Sequence, residues 1–225
     1  MVALLVRVWL PDRPGALGAV ASRIGAVRGD LTGIDILERG AGRAIDELTV
    51  ELEDVALVDL LVNEIRQVDG VDVEDVVVLD SAAPDPRVDA LETAALLVEQ
   101  DGVGALLGAL VDRSGRDFSA SWVAVAHPDE NQARLGWGDV PSGGWLSAFL
   151  LGARASERLA AGERGPDDLA WASLDGSGLA LVLGRAGHPF RARERRQLAA
   201  LARVARRRLA ELTPPCHPGL PGLVE

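Results

Sequence analysis

The spacing of apolar residues over the first 80 positions passes through six segments, and that succession narrows the available folds more than any composition value. Val2, Leu4, Val6, Val8 and Leu10 alternate with Ala3, Leu5, Arg7 and Trp9, as in a half-buried strand. At Leu10-Pro-Asp-Arg-Pro-Gly-Ala-Leu17 the period switches to about 3.6, and Leu17, Val20, Ile24 and Val27 mark one face of a helix that stops near Gly29. Leu31 to Leu37 is read as a second strand with Ile34 and Ile36 inward and Asp35 outward. Gly40-Ala-Gly42 turns it back into a third strand, Ala44 to Leu52. Asp54 is expected to cap a second helix with the stripe Val58, Leu61, Val62, Ile65 and Val68, and Val71 to Leu79 supplies a fourth strand.

This β-α-β-β-α-β order predicts a ferredoxin-like arrangement, two helices on one face of a four-stranded antiparallel sheet. The opposite face would carry Arg7, Trp9, Asp35, Glu47 and Thr49. These are too polar for a deep core and suit a partly buried partner surface. Open sheet edges invite pairing, so self-association through this module is expected. In the first turn, Asp12 is expected to accept hydrogen bonds from free N–H groups of the helix. Pro14 presets φ there, and Gly15 removes a Cβ so that a ligand can approach the positive helix end.

The Asp12-Arg13-Pro14-Gly15 turn in this topological setting resembles the ACT domain, a small-molecule-binding regulatory module of amino-acid metabolism, over about residues 1–80. The resemblance implies a homodimer with an amino acid at the interface, against the first strand-to-helix turn of one copy and the second strand of another. Carried over, Asp12 and Arg13 would face the ligand, and the N–H groups near Gly15, Ala16 and Leu17 would meet its carboxylate. The second-strand contacts would come from Asp30, Leu31 and Thr32. Members of the family often enter this strand through Gly-Val-Asn-Ile, whereas this chain reads Gly29-Asp30-Leu31-Thr32. Either Asp30 or Thr32 replaces the missing Asn, or the module only dimerises.

Residues 81–88 form a short linker with Pro84 and Pro86. Beyond it, Val88 to Val111 reads as a helix that Gly102 and Gly104 break or kink. Phe118 to Ala126 and Ala133 to Trp137 read as strands, Trp145 to Leu159 as a helix, Leu169–Leu174 and Gly178–Gly184 as a hairpin, and Pro189 to Leu212 as a last helix. The stretch from Leu181 through His188-Pro-Phe190 and Glu194 to Leu198 is similar to the end of a GAF domain, which implies a GAF-like module over 89–212. In that resemblance the terminal helices pair in dimers, and Trp122, Trp145 and Trp171 either line a ligand cavity or pack the core. The fold class is therefore α+β, with residues 213–225 as a disordered tail.

Chemistry is sparse. His127, His188 and His217 each precede a proline and share no motif spacing, and Cys216-His217 lacks a second ligand pair for zinc. No catalytic residue, metal site or cofactor is predicted. The 225 residues carry 23 basic and 34 acidic side chains, a net charge of -11, which disfavours binding nucleic acid through the general surface. Arg191, Arg193, Arg195, Arg196, Arg203, Arg206, Arg207 and Arg208 crowd the last helix; they are read as a solvated face, with a nucleic-acid surface as the alternative. A single cysteine, no apolar run of membrane-spanning length and no cleavage site predict a cytoplasmic protein outside the membrane. The expectation is a non-enzymatic regulator binding an amino acid, or a ligand-free subunit that presents a surface to a protein partner.

Overall fold

Strand β1 (Val2–Pro11) runs into helix α1 (Ala16–Ala26), and β2 (Asp30–Gly40) and β3 (Arg43–Leu52) follow as a hairpin. A single 3-10 turn, Val55–Leu57, leads into α2 (Val58–Arg66), and β4 (Asp72–Leu79) ends the series. The sheet is antiparallel in the order β2-β3-β1-β4, so β1 and β3 are central and β2 and β4 are edges. Asp54 starts the 3-10 turn by accepting a hydrogen bond from the Ala56 N–H at 2.9 Å.

The structure, a computed structural model, describes residues 1–79, 85–155, 166, 168–174 and 176–213. Most of the predicted linker, the end of the helix expected at 145–159, and all but the first residue of the expected tail, with Cys216 and His217, lie outside the described residues. The chain forms two compact units, Met1–Pro86 with His188–Arg196, and Arg87–Gly187 with Gln197–Glu225.

In the first unit, alternation puts Leu4, Val6 and Val8 of β1 and Leu48 and Val50 of β3 on the helix side. There they pack with Val20 and Ile24 of α1 and Leu61 and Ile65 of α2, all without solvent exposure. Each such side chain contributes about 1.5–3 kcal/mol, so this face supplies most of the unit's stabilisation. Ile34 and Ile36 are level with Leu48 and Asp46 on the helix side, the inward face expected of them, but they are not fully covered. They lie on edge strand β2, outside the full cover of the helices, and remain 39% and 40% exposed.

The other face of the sheet was expected to await a partner, and instead the chain's own His188–Arg196 segment meets it. Arg7 Nη1 donates to the Pro189 carbonyl at 3.3 Å, Arg191 pairs with Glu74, Arg193 with Asp35, and His188 Nδ1 lies 3.2 Å from Asp75 Oδ2. The Arg191 guanidinium stands 5.1 Å from the Trp9 ring centroid. Acids on the sheet and arginines on the segment are complementary, a relation hidden in the sequence by a separation of 182 residues between Arg7 and Pro189.

In the second unit the helical stretch is broken into α3 (Pro86–Glu99) and α4 (Val103–Asp117) at Gly102, which adopts extended geometry as the cap of α4, while Gly104 lies within α4. Helix α4 continues to Asp117, so β5 is Trp122–Ala126 and does not start at Phe118. Phe118 is buried, and its place in the alternation reflects core packing after the helix. Then come β6 (Ala133–Gly138), α5 (Gly143–Ala155), β7 (Leu169–Leu174), β8 (Leu179–Gly184) and α6 (Ala192–Leu212). The antiparallel sheet has the order β6-β5-β8-β7. Ala124, Ala126, Ala180 and Val182 pack with Leu146 and Leu150 of α5, and Trp122 and Trp171 join that core. Trp145 stacks on Phe149 at 5.6 Å, and Phe149 meets Trp171 edge-on at 5.1 Å. Among the described residues, no helix is long and apolar enough to cross a membrane.

Candidate functional site

The turn after β1 is held by its backbone. The Asp12 N–H donates to the Gly42 carbonyl at 3.0 Å, the Arg13 N–H to Pro11 at 2.8 Å, and the Ala16 N–H to Arg13 at 3.3 Å. Gly15 sits at φ 87°, the left-handed region that favours glycine, and is the N-cap of α1. The expected Asp12 cap is absent: no side chain caps α1. The Asp12 carboxylate instead has Arg39 Nε 4.0 Å away, because the tie to Gly42 sets Asp12 at the end of the sheet, level with the β2–β3 hairpin. Among the described residues, the N–H groups of Leu17 and Gly18 meet no acceptor. The space around Gly15 is open, with no atom within 4 Å of where its Cβ would be. The entrance to α1 thus offers free donors and a positive helix end to an anion, worth about 0.3–1 kcal/mol when exposed. Ala16 is buried in the core, Leu17 packs partly against it, and Arg13 is exposed.

Asp30, Leu31 and Thr32 lie elsewhere. Pro11 is level with Arg43 and Gly40, whereas Asp30 is level with Glu51 and Ala3. Eight strand residues separate these levels, about 26 Å at the usual rise. Within one chain the two halves of the predicted site stand at opposite ends of the sheet. Leu31 packs against the core, and Thr32 Oγ1 donates to the Thr49 carbonyl at 3.4 Å, while Asp30 is exposed.

Of β2, Arg39 reaches the turn, whereas Ile36 and Asp46 are level with Val8, three residues before Pro11. Arg39 is opposite Ala44, and Ile36 is opposite Asp46, which also faces Val8 of β1. Asp46 shares the helix side with Ala44 and Leu48, is only 3% exposed, and its Oδ1 accepts no hydrogen bond. Burial raises its carboxyl pKa; Arg39 works against that rise and Asp12 adds to it. The sequence carried a hint of this, an acid in step with Ala44, Leu48 and Val50.

The remaining candidates do not converge. His127 Nδ1 accepts from the Asp129 N–H at 3.2 Å, and His188 is beside Asp75. Among the described residues, no three His, Cys, Asp or Glu side chains are placed to hold a metal ion. Several arginines of the last helix are engaged within the chain: Arg191 and Arg193 as above, Arg207 with Glu211 at 2.9 Å, and Arg208 with the Gln100 carbonyl at 2.9 and 3.0 Å.

No protein-family model matches the chain, and no curated protein matches it. Among solved structures, the N-terminal segment is similar to the crystal structure of the ACT domain from GTP pyrophosphokinase of Chlorobium tepidum, at 18% identity and a TM-score of 0.29, covering 35% of this chain and 100% of that one. It is also similar to the solution NMR structure of the same domain, at 17% identity and a TM-score of 0.29, covering 37% of this chain and 91% of that one.

Proposed function

We propose that this protein is a non-enzymatic regulator whose N-terminal module dimerises and binds an amino acid at the entrance to α1. The observation that carries the reading is the open helix end: Gly15 in left-handed geometry and the unaccepted N–H groups of Leu17 and Gly18, with Asp12 in the turn that precedes them. The β-α-β-β-α-β order with its Asp-Arg-Pro-Gly turn supports an ACT-like module. The separation of Asp30–Thr32 from the turn supports a site completed by a second copy, whose exposed Asp30 supplies the polar contact. The second unit, an antiparallel sheet with flanking helices, is assigned as GAF-like and relays the bound state or completes the assembly. Ligand bound across two copies stabilises one arrangement of the dimer, by about 2.7 kcal/mol at a hundredfold excess over Kd.

Thermal-shift measurement of the full chain with each common amino acid, alongside its mass in solution by light scattering, tests this. A melting-point rise with one amino acid, lost in Asp12→Ala, together with a dimer mass, is the expected result. No shift with any of them overturns ligand sensing. A dimer without a shift would favour the second reading, an interaction subunit for a protein partner, which the half-exposed Ile34, Ile36, Val77 and Val78 of the two edge strands support.

A further inference from the structure

The second unit has a hollow of its own. Ala90 and Ala94 of α3 and Ala200, Leu201 and Val204 of α6 wall a volume of about 110 Å³, and Asp117 and Gln197 supply its polar atoms. Three of the wall positions are alanine, so the side chains stop at Cβ and leave the space unfilled. A dry apolar cavity of about 150 Å³ takes up benzene, so a hollow of this size holds an alkyl group of about four carbon atoms.

Asp117 is the acid on that wall, and it is poorly served by its surroundings. It is the last residue of α4, the end at which the helix dipole is negative and a second negative charge is disfavoured. Thr93, which has no solvent exposure, donates from Oγ1 to Asp117 Oδ2 at 2.7 Å and fixes the carboxylate in place. Burial raises the Asp117 pKa and Asp89 adds to the rise, while the Thr93 hydrogen bond, Arg113 and Arg116 oppose it. Arg116 is itself spent on Asp112, at 3.0 Å. Among the described residues, no basic side chain is paired with Asp117. A carboxylate so placed gains from a cation that reaches it through the hollow.

We propose that this hollow binds a small primary alkylammonium ion, with its ammonium group on Asp117 and Gln197 and its alkyl group against the alanines of α3 and α6. The ammonium group has only donors to offer. Asp117 Oδ1, which Thr93 leaves free, and the Gln197 carboxamide oxygen are acceptors for them. The carboxylate and the helix end draw a cation and repel an anion, and the apolar walls favour a hydrocarbon tail over a polar one. A free amino acid is disfavoured, because its own carboxylate would enter beside Asp117 and Asp89. The inference therefore goes beyond the amino-acid reading of the first unit and does not depend on it.

Isothermal titration calorimetry of the full chain with isobutylammonium, with isobutanol (similar shape, no charge) and with isovalerate (opposite charge) tests the assignment. Isobutylammonium is expected to bind, isobutanol to bind about tenfold more weakly or worse, and isovalerate not to bind. Asp117→Asn keeps an acceptor for Thr93 and is expected to weaken isobutylammonium about tenfold or more, as for loss of a hydrogen bond to a charged group. Ala94→Leu and Ala200→Leu fill the space from α3 and from α6, and each is expected to abolish binding while leaving the circular dichroism spectrum unaltered. No binding of isobutylammonium overturns the proposal, and so does equal affinity in Asp117→Asn. Binding that survives both leucine variants, or isobutanol that matches isobutylammonium, overturns it too. The Asp117→Asn comparison decides the matter even if a leucine variant fails to fold.

Discussion

Arg7 lies directly opposite Glu47 across β1 and β3 and donates twice to the same carboxylate oxygen, from Nε at 3.1 Å and Nη2 at 2.7 Å. Burial works against the guanidinium's charge, but Glu194, Glu47 and Glu74 outweigh it and its pKa rises. Removing one partner strands the other. Glu47→Ala is expected to cost about 3 kcal/mol, softened by Glu194, 3.8 Å from Arg7 Nη2. Replacing both, as Arg7→Met with Glu47→Leu, should recover most of that loss. Urea unfolding of the parent and the two variants completes the comparison.

Gly15 isolates a backbone effect. An added Cβ would touch nothing, yet φ is 87°. Gly15→Ala is therefore expected to destabilise by about 1 kcal/mol through conformation alone. For a chain of this size that lowers the melting temperature by roughly 2–4 °C, which calorimetry can read.

Asp46 should set part of the pH dependence of stability. Burial is the main reason that its folded pKa lies above the unfolded value, with Asp12 adding to the rise and Arg39 opposing it. The stability gained from the protonated form is complete below the ordinary carboxylate pKa of about 4 and is lost as pH rises through the folded value. Asp46→Asn removes this loss. The variant is expected to be more stable than the parent at neutral pH by about 1 kcal/mol, with the advantage vanishing in acid. Denaturant melts across that range check the sign.

Gly184 in β8 tests packing in the second unit. A Cβ there would come within 2.2 Å of the Trp122 ring. Gly184→Ala must push the indole aside and is expected to cost about 1–3 kcal/mol. Near-ultraviolet circular dichroism should change with it, since Trp122 meets Trp145 edge-on at 6.2 Å.

Much of the architecture is legible in local pattern. Val2 through Leu10, the Asp54 cap and the stripe through Leu61 and Ile65 announce their elements because burial on one face imposes a period. What escapes that logic is long-range or electrostatic. Asp12 carries a residue type suited to capping, but its N–H is spent on Gly42 and its carboxylate faces Arg39, both supplied by a hairpin some thirty residues on. Phe118 and Ala120 continue the alternation of β5 while belonging to the turn after α4. Asp30–Thr32 and Asp12–Leu17 look like one site on paper and stand a strand's length apart, because α1 carries the chain back along the sheet. Asp46 was visible only as a break in an apolar series, and its meaning needs the register of β1, β2 and β3 together.

The docking of His188–Arg196 onto the sheet has a genetic corollary. A gene fragment cut after Pro86 would encode β1 to β4 with α1 and α2, yet its product would expose Asp35, Glu74 and Asp75 without their basic counterparts. Such a cassette is incomplete, and recombination could transplant the module intact only by carrying along nine residues encoded a hundred codons downstream.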